Sequence, residues 1–344
     1  ARDSGGECSA VNLDLRVARH PAGIVPGRPR SIPFGFGGAS WLIGFDGSFG
    51  RSTPSFLDSA RLLPIDVPLV VNRRHPRGTR TNGGLDVLFW TEPGSDTVPL
   101  TRRRALLRAQ SRRPDGSWGP VADVSVPEFL AWGPHTETPV PFGAGELLLA
   151  VTPAGELSLL TWSRDSLEVR RIPGMRYAGS SSLAVTDSGH IVVAYVGYRT
   201  RTDEVRDIVY VIRSADSGRT WSDDQPMPAW AVGNSFEPTL VALGGERLAL
   251  FWIRDVDRGL NPRSLHAAES EDGGRAWRLA LPIAFDKPLH ALDAVRGPCD
   301  RAFVAFDAVS GVGGDDGMAV ATVLNQELKS TGVLSSGPRL RSPA

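Results

Sequence analysis

Two glutamates in similar local sequences offer the clearest acid–base chemistry in this chain. Glu137 opens the run Glu-Thr-Pro-Val, and Glu237 opens the run Glu-Pro-Thr-Leu-Val. Two carboxylates held near one another could divide acid and base roles between them, because each like charge raises the pKa of its neighbour. Alternatively, each carboxylate accepts hydrogen bonds from neighbouring strand N–H groups or pairs with an arginine. The sequence leaves both interpretations open.

Arginine supplies nearly all of the positive charge, since Lys287 and Lys329 are the only lysines. A guanidinium group suits two-point binding of a carboxylate. The 38 basic residues are balanced by 38 acidic ones, so bulk charge does not favour nucleic acid. No apolar run approaches the length of a membrane span. We therefore predict neither a nucleic-acid partner nor membrane insertion, and the sequence leaves the oligomeric state unknown.

Metal and nucleotide chemistry find no support in the motifs. The 6 histidines and 2 cysteines are scattered without metal-ligand spacing, and phosphate-binding glycine patterns are missing. We predict no metal and no cofactor.

Cys8 and Cys299 lie near the two ends of the chain and could form one disulfide in an exported protein, with two buried free thiols as the alternative. The start resembles a processed N-terminus, which predicts a secreted or periplasmic protein whose signal segment has been removed.

A short apolar run recurs six times and is typical of a β-strand. The six copies lie at residues 41–45, 87–90, 147–151, 191–195, 248–252 and 303–306. A second strand-like run precedes each copy, usually with a glycine-containing turn between the two. Convincing amphipathic helices are missing, so the chain is predicted to be all-β.

An octapeptide of the form S-x-D-x-G-x-x-W keeps the same rhythm. It occurs at 214–221 and 270–277, with degenerate versions at 111–118 and 163–167. Its aspartate can accept backbone hydrogen bonds within a tight turn, its glycine can take a positive φ, and its tryptophan can fold back on the hairpin. We therefore predict that these motifs close outer hairpins and are structural, not catalytic.

This period, with about four short strands in each unit, predicts a six-bladed β-propeller of four-stranded antiparallel blades across a single domain, residues 1–344. One unit cannot bury both faces of its sheet, whereas a ring of six can. Two β-sandwiches are the alternative, but they would not repeat six times. The strand-like run 10–17 has no blade of its own, so we expect it to pair near 318–323 and close the ring. A Cys8–Cys299 bridge would then pin the closing blade.

The two octapeptides resemble the Asp-boxes of sialidases and related β-propellers. In that family an Arg-Ile-Pro motif supplies the first of three arginines that bind a substrate carboxylate, and the nearest match here is Arg30-Ser-Ile-Pro. The resemblance implies that Arg51 is the second arginine and that Asp58 is an acid, although Asp58 could instead be a turn residue. It also matches Glu237 and Arg254 to a later glutamate–arginine pair, and Arg296 or Arg301 might supply the third arginine.

One family feature is missing, because retaining sialidases use a late tyrosine nucleophile polarised by the glutamate. The four tyrosines, Tyr177, Tyr195, Tyr198 and Tyr210, all precede Glu237.

Propeller geometry predicts that the starts of first strands meet on one face of the ring. This face would gather Glu137, Glu237 and Arg254 with Arg30, Arg51 and His290.

Two functions remain open. One is an extracellular, sialidase-like glycoside hydrolase acting on an acidic sugar, with Glu237 and Asp58 transferring protons and Arg30, Arg51 and Arg254 binding the carboxylate. The other is a non-catalytic propeller that binds a glycan or a protein. The alternative for these three arginines is that they are solvated or paired with structural partners.

Overall fold

The computed structural model describes about two thirds of the chain. The described residues are 28–31, 41–46, 55–57, 64–65, 74–83, 85–93, 104–111, 113, 115, 117–130, 139–143, 145–151, 156–163, 166–173, 178–201, 204–227, 234–257, 260–280, 283–285, 289–296, 302–308, 317–324 and 327–336. No helix occurs within these ranges, and so none there could cross a membrane.

The described strands form six antiparallel sheets, each built from strands that are consecutive in the sequence. The first sheet contains β1 (Arg28–Ser31), β2 (Trp41–Asp46), β3 (Ser55–Leu57) and β4 (Pro64–Ile65). The second contains β5 (Arg74–Arg80), β6 (Asp86–Pro93), β7 (Arg104–Ser111) and β8 (Ala122–Leu130). The third contains β9 (Val140–Phe142), β10 (Glu146–Val151), β11 (Ser158–Ser163) and β12 (Ser166–Arg171).

The C-terminal half repeats this arrangement. The fourth sheet contains β13 (Ala178–Val185), β14 (Ile191–Arg201), β15 (Glu204–Ser214) and β16 (Gln225–Pro226). The fifth contains β17 (Asn234–Gly244), β18 (Arg247–Asp257), β19 (Leu260–Ser270) and β20 (Arg278–Leu279), and β21 (Ile283–Phe285) also pairs with β19. The sixth contains β22 (Leu289–Arg296), β23 (Ala302–Ala308), β24 (Gly317–Leu324) and β25 (Glu327–Ser336).

The six apolar runs of the sequence are the second strands of the six sheets, as the repeat predicted. In the best-described sheets these strands are buried on both faces. Ile191, Val193 and Tyr195 of β14 pack against the third sheet, whereas Val192 and Ala194 pack against the fifth. Because side chains alternate between the faces of a strand, a continuous apolar run is what a doubly covered strand requires.

The sheets therefore stack face to face around their first strands, and the protein has the β-propeller fold. Apolar clusters join the third sheet to the fourth, the fourth to the fifth, and the fifth to the sixth. The first strands β5 and β9, β13 and β17, and β17 and β22 contact one another in turn, and β1 contacts β22 of the last sheet.

The Asp-boxes lie between the third and fourth strands of their sheets, as predicted. In the first box, Asp216 Oδ1 accepts hydrogen bonds from the backbone N–H groups of Thr220 at 2.8 Å and Arg219 at 3.1 Å. Backbone and hydroxyl donors from Thr220 are the main reasons that the pKa of Asp216 falls to about 2. The indole Nε1 of Trp221 donates to the carbonyl of Gly218 at 3.2 Å. The second box repeats the backbone and indole hydrogen bonds around Asp272 and Trp277, so both motifs are turn-closing structures.

One end of the sheets carries both the Asp-box turns and the turns between first and second strands. The backbone N–H of Gly273, in the second Asp-box, donates to the carbonyl of Glu246 in the β17–β18 turn at 2.9 Å. That turn also bonds to the β13–β14 turn, where Gly245 N–H donates to Asp187 Oδ2 at 2.6 Å. The starts of the first strands consequently lie at the other end, where the sequence predicted the functional face.

The predicted closing strand and disulfide lie outside the described residues. Segment 10–17 and both Cys8 and Cys299 belong to this part of the chain. Both edges of β24 are occupied, by β23 and β25. Direct pairing of 10–17 with 318–323 is therefore wrong, because the outer edge predicted for it is filled by the C-terminal strand β25.

Gly218 of the first Asp-box is tightly enclosed and gives a test of this packing. Its φ is +81°, and an added Cβ would lie 2.6 Å from Cδ2 of the buried Leu159 in the third sheet. We expect Gly218→Ala to lower the free energy of unfolding by about 2–4 kcal/mol, from backbone strain plus overpacking. Chemical denaturation provides the measurement.

Gly189 is the matched control for this substitution. Its φ is +85°, but nothing lies within 4 Å of an added Cβ. Gly189→Ala therefore incurs the backbone cost alone, of about 1 kcal/mol. Equal losses in the two variants would contradict tight packing of the Asp-box turn on the preceding sheet.

Candidate functional site

Near the end opposite the Asp-boxes, the first strands share an irregularity. In the described residues, β1, β5, β13, β17 and β22 each contain, near this end, one extra residue relative to the second strand they pair with. Such bulges bend a strand and redirect its side chains, and they are common beside functional sites. Bulges in the first strands of five sheets therefore lie near this end.

Glu237 lies in the bulge of β17, where Glu237 and Pro238 together face the single residue Trp252. Its φ is +52°, a left-handed conformation that is unusual for a residue other than glycine. A following proline restricts the residue before it still further. Strain of this kind costs about 1–3 kcal/mol and persists only where the surroundings enforce it. Pro238 has no N–H group, so the bulge leaves no donor unpaired at that position.

Hydrogen bonds hold Glu237 between the first strands of three successive sheets. Its backbone N–H donates to Ser180 Oγ of β13 at 3.3 Å, and its carboxylate Oε2 accepts from the backbone N–H of Leu292 in β22 at 3.2 Å. Ser182 of β13 makes a similar bond, accepting from Leu240 N–H at 2.9 Å. Glu237 therefore does bond a neighbouring strand N–H, which was the structural alternative for this residue. Only Oε2 is used in the contact with Leu292.

Arg254 lies near the end of β18, opposite Ser235 in β17 and Ser264 in β19. The residue is buried, with 6% of its surface exposed. Its Nη2 is enclosed and makes no hydrogen bond among the described residues. Burial lowers the pKa of its guanidinium. Arg254 is thus a buried positive charge that lacks a described carboxylate partner, which is an expensive arrangement.

A histidine and a tryptophan share the face of the fifth sheet that carries Arg254. The rings of Trp252 and His266 stack with centroids 5.4 Å apart and planes 26° apart. Ser264 Oγ lies 2.8 Å from His266 Nε2. Burial, and secondly the charge of Arg254, lower the pKa of His266 to about 4. The imidazole is therefore neutral at physiological pH, and Arg254 carries the only charge of this cluster.

The remaining predicted site residues are described in part or not at all. Arg30 lies at the bulge of β1 and His290 at the bulge of β22, so the backbone places both at the end of their sheets that corresponds to the position of Glu237. Arg51, Asp58 and Glu137 lie outside the described residues. No cluster of metal-binding side chains occurs in the described part of the chain.

Arg296 does not belong to this site, which corrects its assignment as a possible third arginine. It ends β22 at the Asp-box end, and its Nη2 lies 2.6 Å from where a Cβ on Gly244 would stand. Gly244, in the β17–β18 turn, has a φ of +101° and leaves room for this guanidinium. Because a first strand runs from one end of its sheet to the other, the arginine at its last position cannot reach the site. Arg301 lies outside the described residues.

Two tyrosines also lie away from the site, in the core between the third and fourth sheets. Tyr195 is 0% exposed and Tyr210 is 5% exposed, and their rings stack with centroids 5.7 Å apart. The Tyr195 hydroxyl donates to Asp224 Oδ1 at 2.7 Å. A phenol enclosed in this way cannot attack a substrate, so neither residue replaces the family nucleophile.

Sequence reasoning missed Ser180, Ser264 and His266. The run of serines at 180–182 in a first strand was a usable signal, because alternate hydroxyls of that strand can bond the next one. Ser264 and His266 are two residues apart in a strand, which places both on one face. Their relation to Arg254 depends on the β18–β19 register, which the sequence does not reveal.

Comparison with known proteins supports the Asp-box resemblance. Residues 158–310 match the model of the BNR repeat-like domain. This range contains both complete Asp-boxes and the best-described sheets. No curated protein matches the sequence. Residues 158–310 are therefore similar to the BNR repeat-like domain, and the resemblance to the Asp-box, sialidase-like propellers is confirmed.

Solved structures agree on the fold. A point mutant of the NanB sialidase from Streptococcus pneumoniae matches with a TM-score of 0.52 at 10% identity, covering 79% of this chain and 63% of that one. The intramolecular trans-sialidase from Ruminococcus gnavus matches with a TM-score of 0.50 at 10% identity, covering 79% of this chain and 87% of that one. A putative 6-phosphogluconolactonase from Bacteroides uniformis matches with a TM-score of 0.52 at 13% identity, covering 84% of this chain and 79% of that one.

These matches show the fold and leave the activity open, because proteins of different activity share it. The chain also spans less than two thirds of the NanB chain that it matches. Any function must therefore be argued from the side chains at the start of the first strands.

The hydrogen bond between Glu237 and Leu292 predicts how two substitutions differ. Glu237→Gln retains an oxygen that can accept from Leu292 N–H, so we expect stability close to that of the wild type. Glu237→Ala leaves this N–H without its acceptor, and we expect a loss of about 1–3 kcal/mol in the free energy of unfolding. Denaturation of both variants provides the comparison. Equal stabilities would contradict an inter-sheet role for the carboxylate.

Proposed function

We propose that this protein is a sialidase-like carbohydrate-active protein that binds an acidic sugar at the start of its first strands. The observation that carries the proposal is Arg254, which is buried with its Nη2 unbonded among the described residues. A carboxylate supplies both missing elements, a compensating negative charge and hydrogen-bond acceptors. Arg254 keeps 6% of its surface exposed, which is where a ligand would contact it.

The geometry of Arg254 suits a ligand better than a structural ion pair. A buried guanidinium without a partner destabilises the folded protein, and such groups are often retained for function. We assign Arg254 to the carboxylate of the sugar. Arg30, Arg51, Glu137 and His290 complete the proposed binding residues. Arg30 and His290 have their backbones at this end of the ring, and Arg51 and Glu137 follow from the sequence alone.

Glu237 is the proposed residue for proton transfer. Its strained φ of +52° and its position in a bulge are typical of functional residues. The hydrogen bond from Leu292 N–H holds Oε2 in place at 3.2 Å. Asp58 is assigned as the acid, by the family resemblance. With no tyrosine after Glu237, water would attack the sugar directly with carboxylate assistance.

The second candidate is a propeller that binds a glycan without cleaving it. The enclosure of Tyr195 and Tyr210 favours this reading, because it removes two of the four tyrosines as substitutes for the family nucleophile. The two candidates share Arg254 as the binding group and differ in whether Glu237 transfers a proton. Turnover separates them.

The architecture proposed for the site is a closed ring of six blades in one domain, residues 1–344. The contact between β1 and β22 supports closure, because it joins the first sheet to the last. A bond between Cys8 and Cys299 would reinforce that junction in a secreted or periplasmic protein. This ring would place the starts of all six first strands around one axis.

A panel of fluorogenic sialosides and uronides, with calorimetry on the free sugar acids, tests the proposal. We expect at least one acid to bind. Arg254→Met should weaken its binding about 10- to 100-fold, through loss of a charged hydrogen bond. The ligand-free variant should be as stable as the wild type or more so, because a lone buried charge is removed. Arg247→Met, at the exposed opposite end of β18, is the matched control and should bind normally.

Glu237→Gln then distinguishes the two candidates. Turnover in the wild type that is lost in this variant, with binding retained, supports the hydrolase. Binding without turnover in either protein supports the non-catalytic module. Failure of every acidic sugar to bind the wild type would contradict both.

A further inference from the structure

The cluster around Arg254 has a charge arrangement that the proposed function does not explain. His266 and Arg254 lie on one face of the fifth sheet, on adjacent strands, with Arg254 opposite Ser264 and His266 opposite Trp252. Such diagonal neighbours are about 7–8 Å apart. A buried arginine and a half-buried histidine thus lie beside each other, and Arg254 is the one charged group that acts on His266 among the described residues.

We propose that an anion bound at Arg254 is held by His266 as well, and that His266 takes up a proton as the anion arrives. This inference rests on the proposed function, since it concerns the same pocket. The pocket then has a second positive group, the His266 imidazolium, which forms only when the anion is bound. The ligand class is an anion able to face two positive groups, such as a carboxylate or a sulfate.

The partners of the imidazole fit both of its protonation states. Trp252 stacks on the ring, and an indole face stabilises a cation as well as a neutral ring. Ser264 Oγ, 2.8 Å from Nε2, can accept a hydrogen bond from an N–H at that nitrogen in either state. Trp252 and Ser264 therefore do not oppose the charged form. Burial and the charge of Arg254 oppose it, and they keep the pKa of His266 near 4.

An anion would offset both of these effects. Its negative charge screens Arg254 and offers a direct partner to the imidazolium, so the pKa of His266 rises on binding. Because the complex then holds more protons than the free protein, affinity increases as the pH falls. Affinity depends on pH in the range between two pKa values of His266: about 4 in the free protein, and the higher value in the complex. Within it, affinity changes by at most about tenfold per pH unit.

Nuclear magnetic resonance of the imidazole in the full chain tests this directly. The His266 signal is identified by its loss in His266→Gln. Inorganic sulfate is the probe, because its charge stays constant across the titration. We expect saturating sulfate to raise the midpoint of the His266 titration by one pH unit or more. We also expect sulfate affinity to increase from pH 7 to pH 5 in the wild type and to be flat in His266→Gln.

A midpoint that sulfate leaves unchanged would overturn the inference, and so would a shift that persists in Arg254→Met. A second arm with glucuronate and N-acetylneuraminate separates this inference from the proposed function. If sulfate shifts the His266 midpoint but neither sugar acid does, the proton-coupled anion pocket stands and the acidic-sugar function fails. If a sugar acid binds through Arg254 with no change at His266, the function stands and the inference fails.

Discussion

Burial of both faces of each sheet is the constraint on which the structure depends. A four-stranded antiparallel sheet with an apolar second strand exposes two apolar faces, and no sheet of this size can cover both alone. Here β14 sends alternate side chains into clusters with the third and the fifth sheets. β18 does the same between the fourth and the sixth. Each sheet is therefore stable only between two neighbours.

This stacking also determines where chemistry can occur. The first strands of successive sheets lie side by side, and their side chains bond to one another's backbones, as Ser182 does to Leu240 and Glu237 to Leu292. The Asp-box turns rigidify one end of the sheets, and the bulges redirect side chains at the other. A buried arginine and a strained glutamate can be maintained there because the packing around them supplies the stability that they cost.

The sequence predicted what depends on local pattern and periodicity. The six apolar runs became six second strands, and the two Asp-boxes closed the hairpins expected of them. The bulge at Glu237 was not predictable, since an extra residue in one strand is defined only by its partner's register. The burial of Arg254 and its proximity to His266 depend on inter-strand register in the same way. Arg296 was a wrong candidate for the site, because it ends β22 at the Asp-box end, a full strand length from the start of that strand.

Amide hydrogen exchange under native conditions tests the closed stack of sheets most directly. If every sheet is stable only between two neighbours, the slowest amides of β2, β6, β10, β14, β18 and β23 should exchange with one common free energy, equal to that of global unfolding. Markedly lower values in β2 and β23 than in β14 and β18 would show that the first and last sheets behave as free ends. That result would contradict a continuous ring and the site built at its centre.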